Sequence, residues 1–314
     1  MCGMQVAFLK GIKMDFLVDQ KHDGVLLRSY LKGTCGVSAR LLTQLKKRPD
    51  GILVNGNHVT VRYLLHAGDT VTIAEHDAVA QDVFPAVKLA FEILYEDDDL
   101  LVVDKPPYMP THPSAGHDGD TLANGLTYLF AQRGEPFVFR PVSRLDRNTS
   151  GIITLAKNQY AAAKLCSAMK AHKIHKTYMA ITDGIPSCES GRIETGTRRM
   201  REMYVMREVC DLNEPDAMRT VTDYRVTEVF DGHALLELHP LTGRTHQIRL
   251  HMAHLGCPIT GDEIYGKGSP LIGRHALHAT QVELAHPVTE QALCFRSPLP
   301  EDMAELCRKL SKQW

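Results

Sequence analysis

A chain of 314 residues, 44% hydrophobic and 23% charged, is long enough for two domains and has the balance of an ordinary globular protein. No apolar run approaches the roughly 20 residues that a membrane-spanning helix needs, and a formal net charge of −1 excludes a uniformly basic polyanion binder. The eight cysteines form no Cys-x-x-Cys pair, which speaks against zinc or a redox dithiol and for free thiols in a reducing compartment. Met1–Asp19 has neither the pattern of a secretory leader nor that of an import peptide, so a cytoplasmic location is expected.

Residues 1–80 read as a small domain with its core at about 14–75. Val25–Leu31 and Ser38–Lys47 are predicted helices, the second opened by Ser38 as N-cap. Ile52–Val54 and a stretch ending at Thr70–Ile73 are predicted strands, and Asn55-Gly56 supplies residues that tolerate positive φ in a tight hairpin. Residues 81–90, in a stretch with several alanines and Pro85, are the expected linker. A second domain, 91–314, opens with strands at Ile93–Tyr95 and Leu100–Val103 around the turn Asp97-Asp98-Asp99, then reaches Asp104-Lys105-Pro106-Pro107. Three adjacent aspartates between strands read as a solvated turn rather than a metal site. Beyond them, strand-like and helix-like runs mix without strict alternation. That predicts an α+β fold with a mainly antiparallel sheet.

Charge is distributed unevenly. Arg28, Lys32, Arg40, Lys46, Lys47 and Arg48 follow one another with no acid between them, and none stands between Asp146 and Asp183. That second interval holds Arg147, Lys157, Lys164, Lys170, Lys173 and Lys176. A basic field beside a lone carboxylate suits an enzyme that attracts a polyanion; the bland alternative is a solvated helix face.

Three segments carry the chemistry. Arg144-Leu145-Asp146, with Thr149-Ser150-Gly151, puts a carboxylate on a turn before the strand-like Ile152–Ala156. Lys176-Thr177-Tyr178 offers an aromatic hydroxyl, and Gly243-Arg244-Thr245-His246-Gln247-Ile248-Arg249 ends on an arginine. Alone, an aspartate in a turn is more often a cap or Asx-turn. In this order and spacing, the three segments resemble the motifs of RNA pseudouridine synthases, in the branch that modifies ribosomal and transfer RNA. Asp104-Lys105-Pro106 resembles that family's opening motif. The basic helix pair, Val54-Asn55-Gly56 and Gly68–Ile73 are similar to an S4-like RNA-binding domain, which many members carry at this position.

The resemblance implies an isomerase that breaks the N-glycosidic bond of a uridine, turns the uracil and rejoins it through C5, with no cofactor or metal. It implies Asp146 as the catalytic carboxylate, acting at uracil C6, at ribose C1′ or in removing the C2′ proton; the sequence does not select among these. Arg249 would pair with Asp146, since a nearby guanidinium favours a carboxylate's ionised form. Tyr178 would stack on the uracil or move a proton, and Arg144 would help extrude the nucleotide or clamp a phosphate. Arg244 and His246 are expected to order the third motif or touch RNA, and Arg40, Lys46, Lys47 and Arg48 to bind RNA from the S4-like domain. Ribosomal RNA is the expected substrate, with transfer RNA as the alternative; no membrane or obligatory protein partner is implied, so a monomer is expected. Ser143 and Asn148 depart from the family's usual His and Asp, which predicts altered loop contacts. The stretch Arg192–Arg219 matches no motif and is read as a subfamily-specific RNA contact. Two competing readings are a metal site of His246, His251 and His254 with Asp262, and a non-catalytic RNA-binding or ribosome-assembly factor.

Overall fold

The computed structural model describes residues 12–75, 84–114, 116–200 and 206–311. The N-terminal unit runs β1 (Ile12–Leu17), α1 (Leu27–Gly33), α2 (Ala39–Leu45), β2 (Ile52–Val54), β3 (Asn57–His58) and β4 (Thr70–Glu75), with an antiparallel sheet in the order β1-β4-β2-β3. Ser38 caps α2 by accepting from the Leu41 N–H at 3.1 Å, as its position before the apolar run demands. Asn55 and Gly56, both at positive φ, turn β2 into β3. The strand β1 was not expected; Lys13 and Asp15 make it polar along one side, so its partner β4 and not its own pattern defines it.

The larger unit continues with β5 (Glu92–Glu96), β6 (Leu100–Lys105), α3 (Leu122–Arg133), β7 (Ser150–Ala156), α4 (Gln159–Lys170), β8 (His175–Asp183), β9 (Ser190–Arg199), β10 (Arg207–Cys210), β11 (Met218–Phe230), β12 (His233–Pro240), α5 (Gln247–His254), β13 (Leu277–Ala285), β14 (Ala292–Arg296) and α6 (Glu301–Ser311). Its ten-stranded sheet runs β10-β9-β11-β12-β8-β13-β7-β6-β5, with β14 beside β13. All pairings are antiparallel except the short parallel join of β13 to β7. The expected α+β architecture with a mainly antiparallel sheet is what forms. Every residue of β7 is buried, as expected of a central strand covered on both faces.

The expected linker has no helix or strand over its described part, yet it is anchored: Asn124 Nδ2 donates to the Pro85 carbonyl at 2.8 Å, and Leu89 packs on the main core. The N-terminal unit touches the larger one through α4. Tyr160 is buried in the N-terminal core and donates its hydroxyl to the Cys35 carbonyl at 2.7 Å, while Lys164 lies against Gly36.

Gly151 makes the parallel join possible. Its φ is +107°, and a Cβ there would lie 2.3 Å from the Ala279 carbonyl oxygen. Gly151→Ala is expected to lower stability by about 3 kcal/mol through strain and strand separation. Urea unfolding measures this, and a loss below about 1 kcal/mol would show that the join tolerates a side chain.

Candidate active site

A cleft of about 760 Å³ opens over the centre of the sheet, where the loop before β7, the start of β8, the end of β12 and α5 converge. Arg144, Asp146, Tyr178, Arg244, His246 and Arg249 all line it, although they come from three separate stretches of chain. Of the four expected RNA contacts of the N-terminal unit, Lys46, Lys47 and Arg48 do not line it. Lys46 and Lys47 are exposed just beyond α2, Arg48 forks onto Asp50, and the Arg40 side chain lies outside the described residues.

Arg249 sits on the first turn of α5 and is buried. Its Nε and Nη2 donate to the two oxygens of Asp262 at 2.7 and 2.8 Å, and its Nη1 donates to Asp146 Oδ2 at 3.2 Å. Asp262 is fully buried, and its Oδ1 also accepts from the Ile264 and Tyr265 N–H groups. Burial opposes ionisation of Asp262, but the Arg249 fork outweighs it and holds the carboxyl below its ordinary 3.8. The geometry is that of a bidentate arginine–carboxylate pair, with the remaining edge of the fork turned to a second, partly exposed carboxylate.

His246 opens α5 in the left-handed region at φ 59°, which lets its ring turn back toward the cleft. Its Nδ1 is 3.1 Å from the Tyr265 hydroxyl and its Nε2 is 3.8 Å from Asp146 Oδ2. Burial lowers the imidazole pKa and the Asp146 charge only partly restores it, so the ring is neutral at pH 7. Tyr178 is buried in β8 between β12 and β13. Burial first, and the Asp146 charge second, push its phenol well above the ordinary range. It is a hydroxyl donor, not a phenolate, at neutral pH.

Comparison with known proteins shows the family. Residues 99–254 match the family model described as RNA pseudouridylate synthase. Over 276 residues, 88% of this chain and 96% of the relative, the chain is 36% identical to a Bacillus subtilis (strain 168) protein named uncharacterized RNA pseudouridine synthase YjbO. It is 34% identical over 278 residues to ribosomal large subunit pseudouridine synthase D of Pasteurella multocida (strain Pm70), with 83% of each chain covered. The chain belongs to the RNA pseudouridine synthase family. A solved structure of human RNA pseudouridylate synthase domain containing 4 superposes with a TM-score of 0.56 at 25% identity, covering 69% of this chain and 92% of that one. The protein is therefore an isomerase that acts on RNA.

The synthase holds its Asp146 loop by contacts that sequence reading missed. Thr111 Oγ1 donates to the Leu145 carbonyl and accepts the Leu145 N–H. Lys105, fully buried, donates to the carbonyls of Pro106, Met109 and Arg147 at 2.9, 2.8 and 3.2 Å. Three carbonyl acceptors call for three N–H donors, which only the ammonium supplies; burial pulls its pKa down to about 7 while the Asp146 charge works to raise it. Arg274, also buried, forks onto Asp302 and donates Nη1 to the Asn148 carbonyl at 3.0 Å. Asn148, one of the two departures, has its Oδ1 buried with no partner among the described residues.

The three histidines weighed as a metal set are not brought together as one. His251 bonds Thr222 through Nδ1 and Thr220 through Nε2, so both ring nitrogens are occupied, and His254 is exposed. Asp262 instead holds Arg249. Asp97 and Asp99 do approach His286, but His286 Nδ1 accepts from the Val288 and Thr289 N–H groups, which leaves Nε2 as a donor to Asp97 rather than a metal ligand. In the Arg192–Arg219 stretch, of which residues 201–205 lie outside the described residues, Arg192, Arg198 and Arg219 are paired with Asp223, Glu208 and Glu194, and among the described residues only Arg219 reaches the cleft lining.

Asp262→Asn removes the charge that balances buried Arg249 and is expected to cost about 3–5 kcal/mol at pH 7. Because the native pKa is depressed, the ionised pair stabilises fully above the ordinary 3.8 and is lost as pH falls through the lower native value. The stability gap between wild type and variant should thus narrow on acidification below about pH 4. Urea titrations at several pH values test this; a gap that stays constant down to pH 2 contradicts it.

Proposed function

We propose that the chain converts uridine to pseudouridine in ribosomal RNA of the large subunit, with Asp146 as its catalytic carboxylate. The observation that carries this reading is the Arg249–Asp146 contact at 3.2 Å in a cleft that also holds Tyr178 and Arg144. The reaction breaks N1–C1′, forms C5–C1′ and moves the C5 proton to N1, so no redox partner enters the balance. Asp146, partly exposed, is the one carboxylate lining the cleft among the described residues, and it has an oxygen free of Arg249 for the substrate.

Arg249 orients Asp146 and keeps its charge matched without covering it. Tyr178 supplies an aromatic face against the base and a neutral hydroxyl for proton transfer at C5. Arg144, exposed at the rim, helps draw the nucleotide out of its stack, a step that costs a few kcal/mol. The N-terminal unit is the S4-like domain; Lys46 and Lys47 contact RNA away from the cleft and add affinity that weakens as salt rises. The substrate class follows relatives such as the Pasteurella multocida protein, which is named a ribosomal large subunit pseudouridine synthase. The cell compartment that fits this substrate is the cytoplasm.

Asp146→Asn is expected to abolish turnover, by at least about a thousandfold, while leaving the RNA dissociation constant within about twofold. Pseudouridine mapping of ribosomal and transfer RNA from a deletion strain, complemented with wild type or Asp146→Asn, provides the test. Sites that return only with wild type support the reading. Sites in transfer RNA alone move the substrate, and restoration by the variant removes Asp146 from the chemistry.

A further inference from the structure

The wall of the cleft facing the Asp146 loop is built by the end of α4 and the start of β8, and it contributes Lys170, His172, His175 and Lys176. No acidic residue stands between Asp146 and Asp183, and none of these four side chains has a hydrogen-bond or salt-bridge partner among the described residues. Lys176 differs from an ordinary surface lysine. It is partly buried and lines the cleft on the same face of β8 as Tyr178, two residues on and so about 7 Å along the strand. A desolvated ammonium without a counterion is unfavourable in the free protein. Burial alone pulls its pKa down to about 8, with no carboxylate to restore it.

The backbone beside it is also held in an uncommon form. α4 ends in a Schellman arrangement: the Lys173 N–H bonds the Ala168 carbonyl and the His172 N–H bonds the Met169 carbonyl. His172 takes the left-handed position at φ 55°, where glycine is usual. A helix C-terminus by itself attracts cations, which accounts for Lys170 and His172 without a ligand. It does not account for Lys176, which follows the turn on a strand.

We propose that Lys176 is a phosphate-binding residue, seating the phosphodiester next to the target uridine while Lys170 and His172 extend the contact along the RNA strand. The inference rests on the reading of the Asp146–Tyr178 face as the uridine seat. The anion supplies the missing counter-charge, so a group that is unfavourable in the free enzyme becomes favourable in the complex. No bond is made or broken, and Lys176 acts on binding and strand position, not on the chemistry.

The test uses the full chain and a single-stranded oligouridylate dodecamer, with dissociation constants measured across a salt series for wild type, Lys176→Met and Lys176→Arg. One lost phosphate contact is expected to flatten the slope of log K against log salt by about 0.7 in Lys176→Met, a fivefold difference over a tenfold salt range. Lys176→Arg should keep the wild-type slope, and an oligomer with uncharged methylphosphonate linkages should bind wild type and Lys176→Met alike. The free Lys176→Met protein should also melt at a higher temperature than wild type, because a desolvated charge is gone. An unchanged slope overturns the assignment, and so does a lowered melting temperature, which would make Lys176 a structural residue. Failure of the Asp146 reading shows separately, as turnover retained by Asp146→Asn, and leaves the slope measurement intact.

Discussion

One guanidinium shared between two carboxylates organises this enzyme's cleft. Arg249 gives its bidentate edge to buried Asp262 and a single N–H to Asp146. The asymmetry follows from burial. Asp262 has no solvent, so its charge must be met in full by the fork and two backbone N–H groups. Asp146 keeps partial access to solvent and accepts only the remaining donor. A lysine could not do both, since its ammonium lacks the planar fork that fixes one partner while leaving a directed N–H for the other. Under the proposed function this divides the work: Asp262 sets where the arginine is, and the arginine sets where Asp146 points.

The loop that carries Asp146 depends on a second set of buried charges. Leu145, Arg147 and Asn148 each hand a carbonyl to a side chain from elsewhere, namely Thr111, Lys105 and Arg274. Carbonyls that face inward from such a loop need donors from the protein. Two cations do it here, each held in turn: Arg274 by Asp302 on α6, Lys105 by three carbonyls around the loop. Lys105, fully buried, also adds positive potential at Asp146. Rigid placement and electrostatic bias therefore come from the same residue, which is how a preorganised site lowers reorganisation during a reaction.

Much of this was legible in the sequence, and the limit has a physical form. Arg144, Asp146, Tyr178 and Arg249 could be read because each sits in a short local motif, and the fold brings those motifs to one cleft. The Ser38 cap and the Asn55-Gly56 turn were readable for the same reason, since local backbone chemistry decides them. Asp262 was weighed only as a metal ligand. Its partner lies 13 residues away on another element, and nothing local distinguishes an arginine clamp from a ligand. Lys105 looked like part of an opening motif, and its burial beneath a loop 42 residues later depends on the β6–β7 pairing. The strand β1 was missed because its ladder to β4 spans the whole N-terminal unit.

The net charge of −1 and an RNA substrate are reconciled by where the acids are used. Asp262 and Asp302 are consumed against Arg249 and Arg274, and Glu194, Glu208 and Asp223 against arginines of the β9–β11 region. A carboxylate locked to an arginine contributes little field at a distance. What remains unneutralised on the α4–β8 wall is Lys170, Lys173 and Lys176, next to a cleft whose lining carries Asp146 as its one carboxylate among the described residues. Local arrangement, not total charge, is what a polyanion meets within a Debye length of about 10 Å. The N-terminal unit reaches this same helix from its other end, through Tyr160 and Lys164. Helix α4 thus ties the small unit to the basic wall of the cleft.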